Sequence, residues 1–188
     1  MIQIRKAKPT DATAIAPIMN LAMADITQQF VGDYDTDAAL AFLAHFIQLP
    51  ENQYSYENIY VAVEEDEILG QISLYPGADL HQLRKPVLEK MKLDYGVTFP
   101  IDDETEAGEI YIDTIAVTPA AQGKGVGKQL LAYVKHLYAT ERGETLGLLV
   151  DKGNPNAKRL YVKEGFIVVN EKNFMGTQME HMQYSVSL

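Results

Sequence analysis

Two neighbouring stretches decide the fold. The first is Tyr111-Ile112-Asp113-Thr114-Ile115-Ala116-Val117, and the second, four residues later, is Gln122-Gly123-Lys124-Gly125-Val126-Gly127. The first is rich in strand-forming residues. Apolar residues recur at helical spacing from Val126 onward. The sequence therefore predicts a strand, a glycine loop and a helix in succession. Backbone amides at a helix N-terminus, together with the helix dipole, form a natural site for phosphate.

Other kinds of glycine loop are distinguished by spacing. A P-loop ends in Gly-Lys-Ser/Thr, but here Gly127-Lys128 is followed by Gln129. A dinucleotide fingerprint needs glycine at the position of Lys128, and this loop comes late in the chain, after a predicted antiparallel hairpin. A glycine turn without ligand is the structural alternative. Lys124 and Lys128 favour the phosphate interpretation, because they add positive charge to an acidic chain.

A second segment, residues 154–166, reads Asn-Pro-Asn-Ala-Lys-Arg-Leu-Tyr-Val-Lys-Glu-Gly-Phe. This segment and the loop Gln122-x-x-Gly125-x-Gly127 resemble the two signatures of the GNAT acetyltransferases. The resemblance extends to the order of elements over residues 1–188. It implies an α/β (α+β) fold whose mixed, mostly antiparallel sheet of about seven strands is splayed at the cofactor site, with about four to five flanking helices.

The chain is expected to form one domain over residues 1–188, since its length suits a single core. Residues 76–108 are interpreted as an insertion between the third and fourth strands, with a helical pattern followed by a loop that contains proline and acidic residues. The helix after the glycine loop is expected to reach about Arg142. The predicted closing strands are Phe166–Val169 and Met182–Val186.

The resemblance implies acetyl-CoA as the cofactor, with a role for each matching position. Loop amides would hold the pyrophosphate, the strand backbone would pair with the pantetheine arm, and Ile115 N–H would polarise the acetyl carbonyl. The segment after Asn154 would also contact the cofactor. The implied cofactor-binding residues are Ile115, Ala116, Val117, Gln122, Gly123, Lys124, Gly125, Val126, Gly127, Lys128, Asn154, Ala157 and Tyr161.

Candidates for proton transfer can be read from the residues themselves. Tyr161 shares a helix face with Asn154 and Ala157, and its phenol could protonate a departing thiolate. A packed amphipathic tyrosine is the structural alternative. On the strand, alternation puts Glu109 and Asp113 on one face, so either could deprotonate an amine. Asp113 is narrowly favoured as the base because it should be desolvated, whereas Glu109, nearer the insertion, is expected to be the more solvated. The sequence is equally compatible with a role for Asp113 in which it only orders the site through hydrogen bonds.

The acceptor pocket carries less signal. By resemblance, its walls would include Phe30, Tyr34, Tyr75 and His181, although core packing or loop chemistry explains each of them as well. The four histidines are scattered without ligand spacing, and no metal is expected.

Composition limits the partners. A formal net charge of −10 opposes binding to nucleic acid and anionic membranes, and it accommodates a cationic amine. Without cysteine, acyl transfer cannot pass through a cysteine acyl-enzyme, so direct transfer is the simpler expectation. The N-terminus has no signal pattern, and a cytoplasmic location is expected. A homodimer is compatible with the sequence, which does not determine the oligomeric state.

The predicted function is therefore N-acetyl transfer from acetyl-CoA to a primary amine of a small molecule or peptide. Two alternatives stay open from sequence. One is a catalytically silent module that binds or senses acyl-CoA, and the other is an enzyme that acetylates a specific protein partner.

Overall fold

The computed structural model describes residues 1–32 and 35–186 of the chain. Its strands form one mixed sheet in the order β1-β2-β3-β4-β5-β7-β6. Among the described pairings, β4 with β5 is parallel and the others are antiparallel, which confirms the predicted mixed, mostly antiparallel sheet. The strands are β1 (Gln3–Lys6), β2 (Ile59–Glu64), β3 (Glu67–Pro76), β4 (Glu109–Val117), β5 (Thr145–Asp151), β6 (Ile167–Phe174) and β7 (Thr177–Tyr184).

Five α-helices lie in the described part of the chain, within the predicted number. A π-helical segment, Lys135–Thr140, continues directly from the fourth of them, so the helix predicted to reach about Arg142 is present but changes its geometry after Val134. The helices are α1 (Ala12–Val31), α2 (Thr36–Ile47), α3 (Leu80–Tyr95), α4 (Val126–Val134) and α5 (Pro155–Lys163).

The chain divides into two compact units. The first comprises Met1–Leu74, His81–Thr98 and Thr114–Tyr133. Within it, Gly70 of β3 permits the close packing of α4, because a Cβ there would lie 2.9 Å from the Ala116 carbonyl oxygen and 3.2 Å from Val126. Val126, Leu130, Leu131 and Val134 are all buried, so the predicted inner face of this helix is confirmed.

The second unit comprises Tyr75–Leu80, Phe99–Asp113 and Val134–Leu188. In it, β7 pairs antiparallel with both β5 and β6. We call residues 102–106 the strap, because several hydrogen bonds attach this segment to neighbouring elements. The Thr105 hydroxyl donates to the Gly77 carbonyl at 2.7 Å, and the Met175 amide donates to Asp102 at 2.9 Å. The Tyr75 hydroxyl donates to Glu104 at 3.2 Å.

The predicted limits of the closing strands are wrong. The hairpin of β6 and β7 turns at Met175-Gly176, where both residues have positive φ angles of 48° and 80°. Such a turn normally requires glycine, asparagine or aspartate at both positions. Because Met175 gives no turn signal, the sequence pattern placed the last strand too late.

Candidate active site

The chain between β4 and the glycine loop begins at Thr118, whose amide donates a hydrogen bond to the Leu69 carbonyl at 2.8 Å. Gly123 and Gly125 have φ angles of 76° and 77°, in the left-handed region that favours glycine. A Cβ added at either glycine would meet nothing within 4 Å. Open space therefore lies above both glycines, and a bulky anion can approach the backbone there.

The loop ends where α4 begins at Val126, so the N-terminus of this helix supplies further amides and a partial positive charge. Gln122 to Gly125 are exposed. Gly127 has no positive φ, and a Cβ there would make an ordinary 3.5 Å contact with Val117. The predicted sequence of strand, loop and helix is thus confirmed, and its geometry suits a phosphate.

The described register of β4 with β5 covers only the first residues of the strand. Its parallel register with β5 runs from Glu109 opposite Thr145 to Tyr111 opposite Gly147. The residues named for pantetheine lie beyond this register, in the last three positions of the strand. Ala116 is buried there, whereas Ile115 and Val117 are partly exposed.

The second signature forms the start of α5. Asn154 caps the helix, and its side-chain oxygen accepts a hydrogen bond from the Ala157 amide at 3.1 Å. The helix predicted to carry Ala157 and Tyr161 is therefore confirmed. Tyr161 packs edge-on against Phe166 at 5.9 Å between ring centroids. Burial raises the pKa of the Tyr161 phenol, which is accordingly protonated at neutral pH.

Glu109 is buried, with 3% of its surface exposed, so the expectation that it is the more solvated carboxylate is wrong. Its Oε2 lies 2.8 Å from His181 Nε2 and accepts a hydrogen bond from Gln183 Nε2 at 2.8 Å. Its Oε1 accepts from the Glu106 amide at 2.9 Å. Asp113 is partly exposed, so the expectation that it is the more desolvated of the two carboxylates is wrong as well. Residues from the strap and from β7 cover Glu109, and the strand pattern alone could not reveal them.

His181 is fully buried between two carboxylates. Besides its contact with Glu109, its Nδ1 lies 3.4 Å from Glu106 Oε1, an ion-pair distance without hydrogen-bond geometry. The side-chain Nδ2 of Asn170 donates to Glu106 Oε1 at 2.8 Å, and Lys172 Nζ lies 3.3 Å from the same oxygen. The hydrogen bond from Asn170 lowers the pKa of Glu106, against the effect of desolvation, and Lys172 and His181 add to the lowering.

Two tyrosines of the second unit, Tyr75 and Tyr111, are also buried. Tyr111 is buried, and burial raises its pKa well above the ordinary value, with further increases from the charges of Glu104, Asp113 and Glu109. Tyr75 is also buried, and its ring centroid lies 6.0 Å from that of Tyr111. The Tyr111 phenol is therefore protonated at neutral pH.

Comparison with known proteins assigns the family. The model of the acetyltransferase (GNAT) family matches residues 22–166. This chain belongs to the GNAT family. It is accordingly an acyltransferase of the kind that depends on acetyl-CoA.

Known relatives of this GNAT chain cover most of its length. The spermine/spermidine N(1)-acetyltransferase of Bacillus subtilis is 28% identical over 138 residues, which are 71% of this chain and 85% of the relative. A solved acetyltransferase is 30% identical with a TM-score of 0.82, covering 98% of this chain and 100% of that one. The PaiA N-acetyltransferase of Thermoplasma acidophilum, solved in complex with coenzyme A, has the same fold at 16% identity and a TM-score of 0.58, covering 98% and 99% of the two chains.

The four residues predicted to wall the acceptor pocket of a GNAT enzyme have different surroundings. Phe30 is buried in the first unit, with its ring centroid 5.9 Å from that of Phe42. Tyr75 and His181 are buried in the second unit. The polar contacts of Tyr75 include Glu104, and those of His181 include Glu109 and Glu106. Tyr34 lies outside the described residues. The acceptor role of all four stays a prediction.

Sequence reasoning missed several residues that contact Glu109. Gly147 is the clearest, because a Cβ there would lie 1.9 Å from Glu109 Oε2. Gln183 and Glu106 also went unnoticed, as did Asn170 and Lys172, which contact Glu106. No motif marks them, since they come from the strap and two late strands.

Two further properties concern the described residues as a whole. Within residues 1–32 and 35–186, no group of three or more histidine, aspartate or glutamate side chains is arranged to hold a metal ion. No helix in this part of the chain is long and apolar enough to cross a membrane.

Proposed function

We propose that this GNAT enzyme transfers the acetyl group of acetyl-CoA directly to a primary amine of a small molecule or peptide. The observation that carries the proposal is the open, left-handed backbone at Gly123 and Gly125 immediately before the N-terminus of α4. A pyrophosphate bound there would accept hydrogen bonds from the amides of the loop and of the first turn of α4. The exposed Lys124 would add charge attraction.

The rest of the donor would follow the family pattern. Pantetheine would pair with the backbone of Ile115 to Val117, and the Ile115 amide would donate to the acetyl carbonyl oxygen as negative charge develops on it. Because the chain contains no cysteine, transfer without a cysteine acyl-enzyme is the simpler course.

Direct transfer needs three proton movements. A carboxylate removes a proton from the ammonium, and the neutral amine nitrogen forms a bond to the carbonyl carbon. The bond from carbon to sulfur then breaks, and we assign protonation of the thiolate to the Tyr161 phenol. The nitrogen loses its second proton as the amide forms, and this proton returns to the Tyr161 phenolate. Burial raises the pKa of Tyr161, so the phenol holds its proton at neutral pH, while its transfer to a thiolate of lower pKa is uphill.

The base is Asp113 or Glu109, and we favour Asp113. Both oxygens of Glu109 already accept hydrogen bonds, and its side chain is 1% exposed. Such a carboxylate is better suited to fixing the positions of its neighbours than to meeting an incoming amine. Asp113 is partly exposed on the same strand.

The acceptor proposed for the first assays is an aliphatic amine. The net charge of −10 favours a cationic substrate, and the B. subtilis relative is a spermine/spermidine acetyltransferase by name. A panel should contain spermidine, a monoamine, an aminoglycoside and lysine-containing peptides, with release of the CoA thiol as the readout. Thiol release from free amines supports a small-molecule enzyme, whereas release from peptides alone would favour a protein-modifying enzyme.

Replacement of Tyr161 by Phe tests the proton donor. We expect at least a tenfold lower turnover with nearly unchanged affinity for acetyl-CoA, since the variant keeps the ring and loses only the hydroxyl that donates the proton. The matched control is Tyr133→Phe, which removes a hydroxyl from a more exposed ring on α4. Equal turnover in the Tyr161→Phe variant and the wild type would exclude Tyr161 as the acid.

A further inference from the structure

A groove of about 580 Å³ lies in the first unit, along the N-terminal half of α1. Its other walls come from the beginning of β3 and from Thr118 and Pro119, which follow β4. A volume of this size lies within the range of sites that hold small molecules.

The floor of the groove is apolar. Ala14, Pro17 and Ile18 contribute from α1, and Ile68 contributes from β3. Leu21, the next lining residue along α1, is 56% exposed. Large apolar side chains that stay exposed beside a concave apolar surface are typical of binding sites. A ligand with a hydrocarbon body would cover this surface.

The charged residues that line the groove are all acidic. Asp11 is neutralised, because Arg5 donates to its two carboxylate oxygens at 2.7 and 3.1 Å. Asp66 is exposed in the turn between β2 and β3, and Glu67 is exposed as the first residue of β3. None of the ion pairs found among the described residues involves either of them. No lysine or arginine is among the described residues that line the groove. The rim therefore favours positive charge.

This combination of an apolar floor and an acidic rim defines the ligand chemistry. Phosphate groups would be repelled by Asp66 and Glu67, so the groove is unsuited to the anionic donor, although Pro119 precedes the glycine loop by only a few residues. We propose that the groove binds an aliphatic ammonium compound, with its hydrocarbon chain on the floor and its ammonium group at Asp66 and Glu67. This site is additional to the donor and acceptor sites of the proposed function.

The experiment is a calorimetric titration of 1,8-diaminooctane into the full chain saturated with CoA, at low salt. Glu67→Gln removes one rim charge. Glu65→Gln is its matched control, because Glu65 is an exposed acid in the turn that precedes Glu67 and does not line the groove. Leu21→Lys places a competing ammonium at the rim. Both changes are at exposed positions, where the fold should tolerate them.

We expect Glu67→Gln to weaken one binding component about three- to tenfold, Leu21→Lys to abolish it, and Glu65→Gln to leave it unchanged. Affinity should also rise with chain length from 1,4-diaminobutane to 1,8-diaminooctane, because the floor is apolar. Equal weakening by Glu65→Gln and Glu67→Gln would show unspecific charge attraction and overturn the proposal. Binding that none of the variants affects, or no binding at all, would overturn it as well.

Discussion

Replacement of Gly147 by Ala is the sharpest structural test of the buried cluster around Glu109. A Cβ at this position would lie 1.9 Å from Glu109 Oε2 and 2.3 Å from its carboxyl carbon. Since Cβ atoms essentially never come closer than 3.0 Å to another heavy atom, the carboxylate must withdraw by roughly 1 Å. It would thereby leave hydrogen-bond distance of His181 and Gln183, both now at 2.8 Å.

The expected cost follows from these contacts. A hydrogen bond to a charged group contributes about 1.5–3 kcal/mol, and two such bonds to the Glu109 carboxylate would be broken. Glu109 and His181 are 1% and 0% exposed, so solvent cannot replace the lost partners. We therefore expect the variant to lose about 3–5 kcal/mol of unfolding free energy. For a chain of this length that corresponds to a Tm lower by about 10 °C.

Urea unfolding and thermal melting measure this effect, with Gly153→Ala as the control. A Cβ at Gly153 would lie 3.2 Å from the carboxylate of the exposed Asp151, which can move, so a change within about 0.5 kcal/mol is expected. In a Glu109→Ala background the additional cost of Gly147→Ala should fall below about 1 kcal/mol, because the colliding carboxylate is gone. Equal stability of the two glycine variants, or an undiminished cost without Glu109, would refute the reasoning.

Three other comparisons, made with five variants, test separate parts of the structure. Asn154→Ala should cost about 1 kcal/mol of unfolding free energy by removing the cap of α5, whereas Asn154→Asp should retain most of it; equal losses would contradict the cap. The folded-state pKa of Glu106 is lowered, so its contribution to stability is present above the unfolded carboxyl pKa of about 4.3 and is lost as the pH falls through the folded value. The wild type should therefore lose more stability than Glu106→Gln between pH 6 and pH 3. Parallel curves of stability against pH would argue against this. Gly70→Ala should destabilise by about 1–3 kcal/mol through its 2.9 Å approach to a carbonyl oxygen, whereas Gly127→Ala should leave the melting temperature nearly unchanged, and the reverse order would be inconsistent with the packing of α4.

The features that the sequence predicts well are those with local causes. The loop at Gly123 and Gly125 and the cap at Asn154 each depend on residues within a few positions of one another. Glycine in left-handed conformations and asparagine at a helix start have strong local signals. For the same reason the order of strands and helices followed from the pattern of apolar residues.

The surroundings of Glu109 could not be predicted in this way. Its contacts with His181 and Gln183 join positions more than 70 residues apart, and the strap adds the Glu106 amide. Whether a carboxylate at the end of a strand is solvated depends on how such distant segments fold over it. The requirement for glycine at position 147 arises from the same contact and leaves no mark in the local sequence.

The turn of the last hairpin shows a different limit. Met175 has a φ angle of 48°, a conformation that methionine rarely adopts, so its residue type argued against a turn at that position. Pairing along the whole length of β6 and β7 decides the conformation there. Tertiary structure here overrides the local preference of one residue.

The most direct test of the central claim is a calorimetric titration of acetyl-CoA into the wild type and two glycine variants. Gly125→Glu puts a bulky negative charge where the pyrophosphate is proposed to bind. Gly96→Glu is its match, because Gly96 has a similar φ of 67° and equally open space above it, away from the loop. We expect saturable binding by the wild type and by Gly96→Glu, and none by Gly125→Glu. Equal binding by Gly125→Glu, or no binding by the wild type, would contradict the assignment of the loop as the donor site.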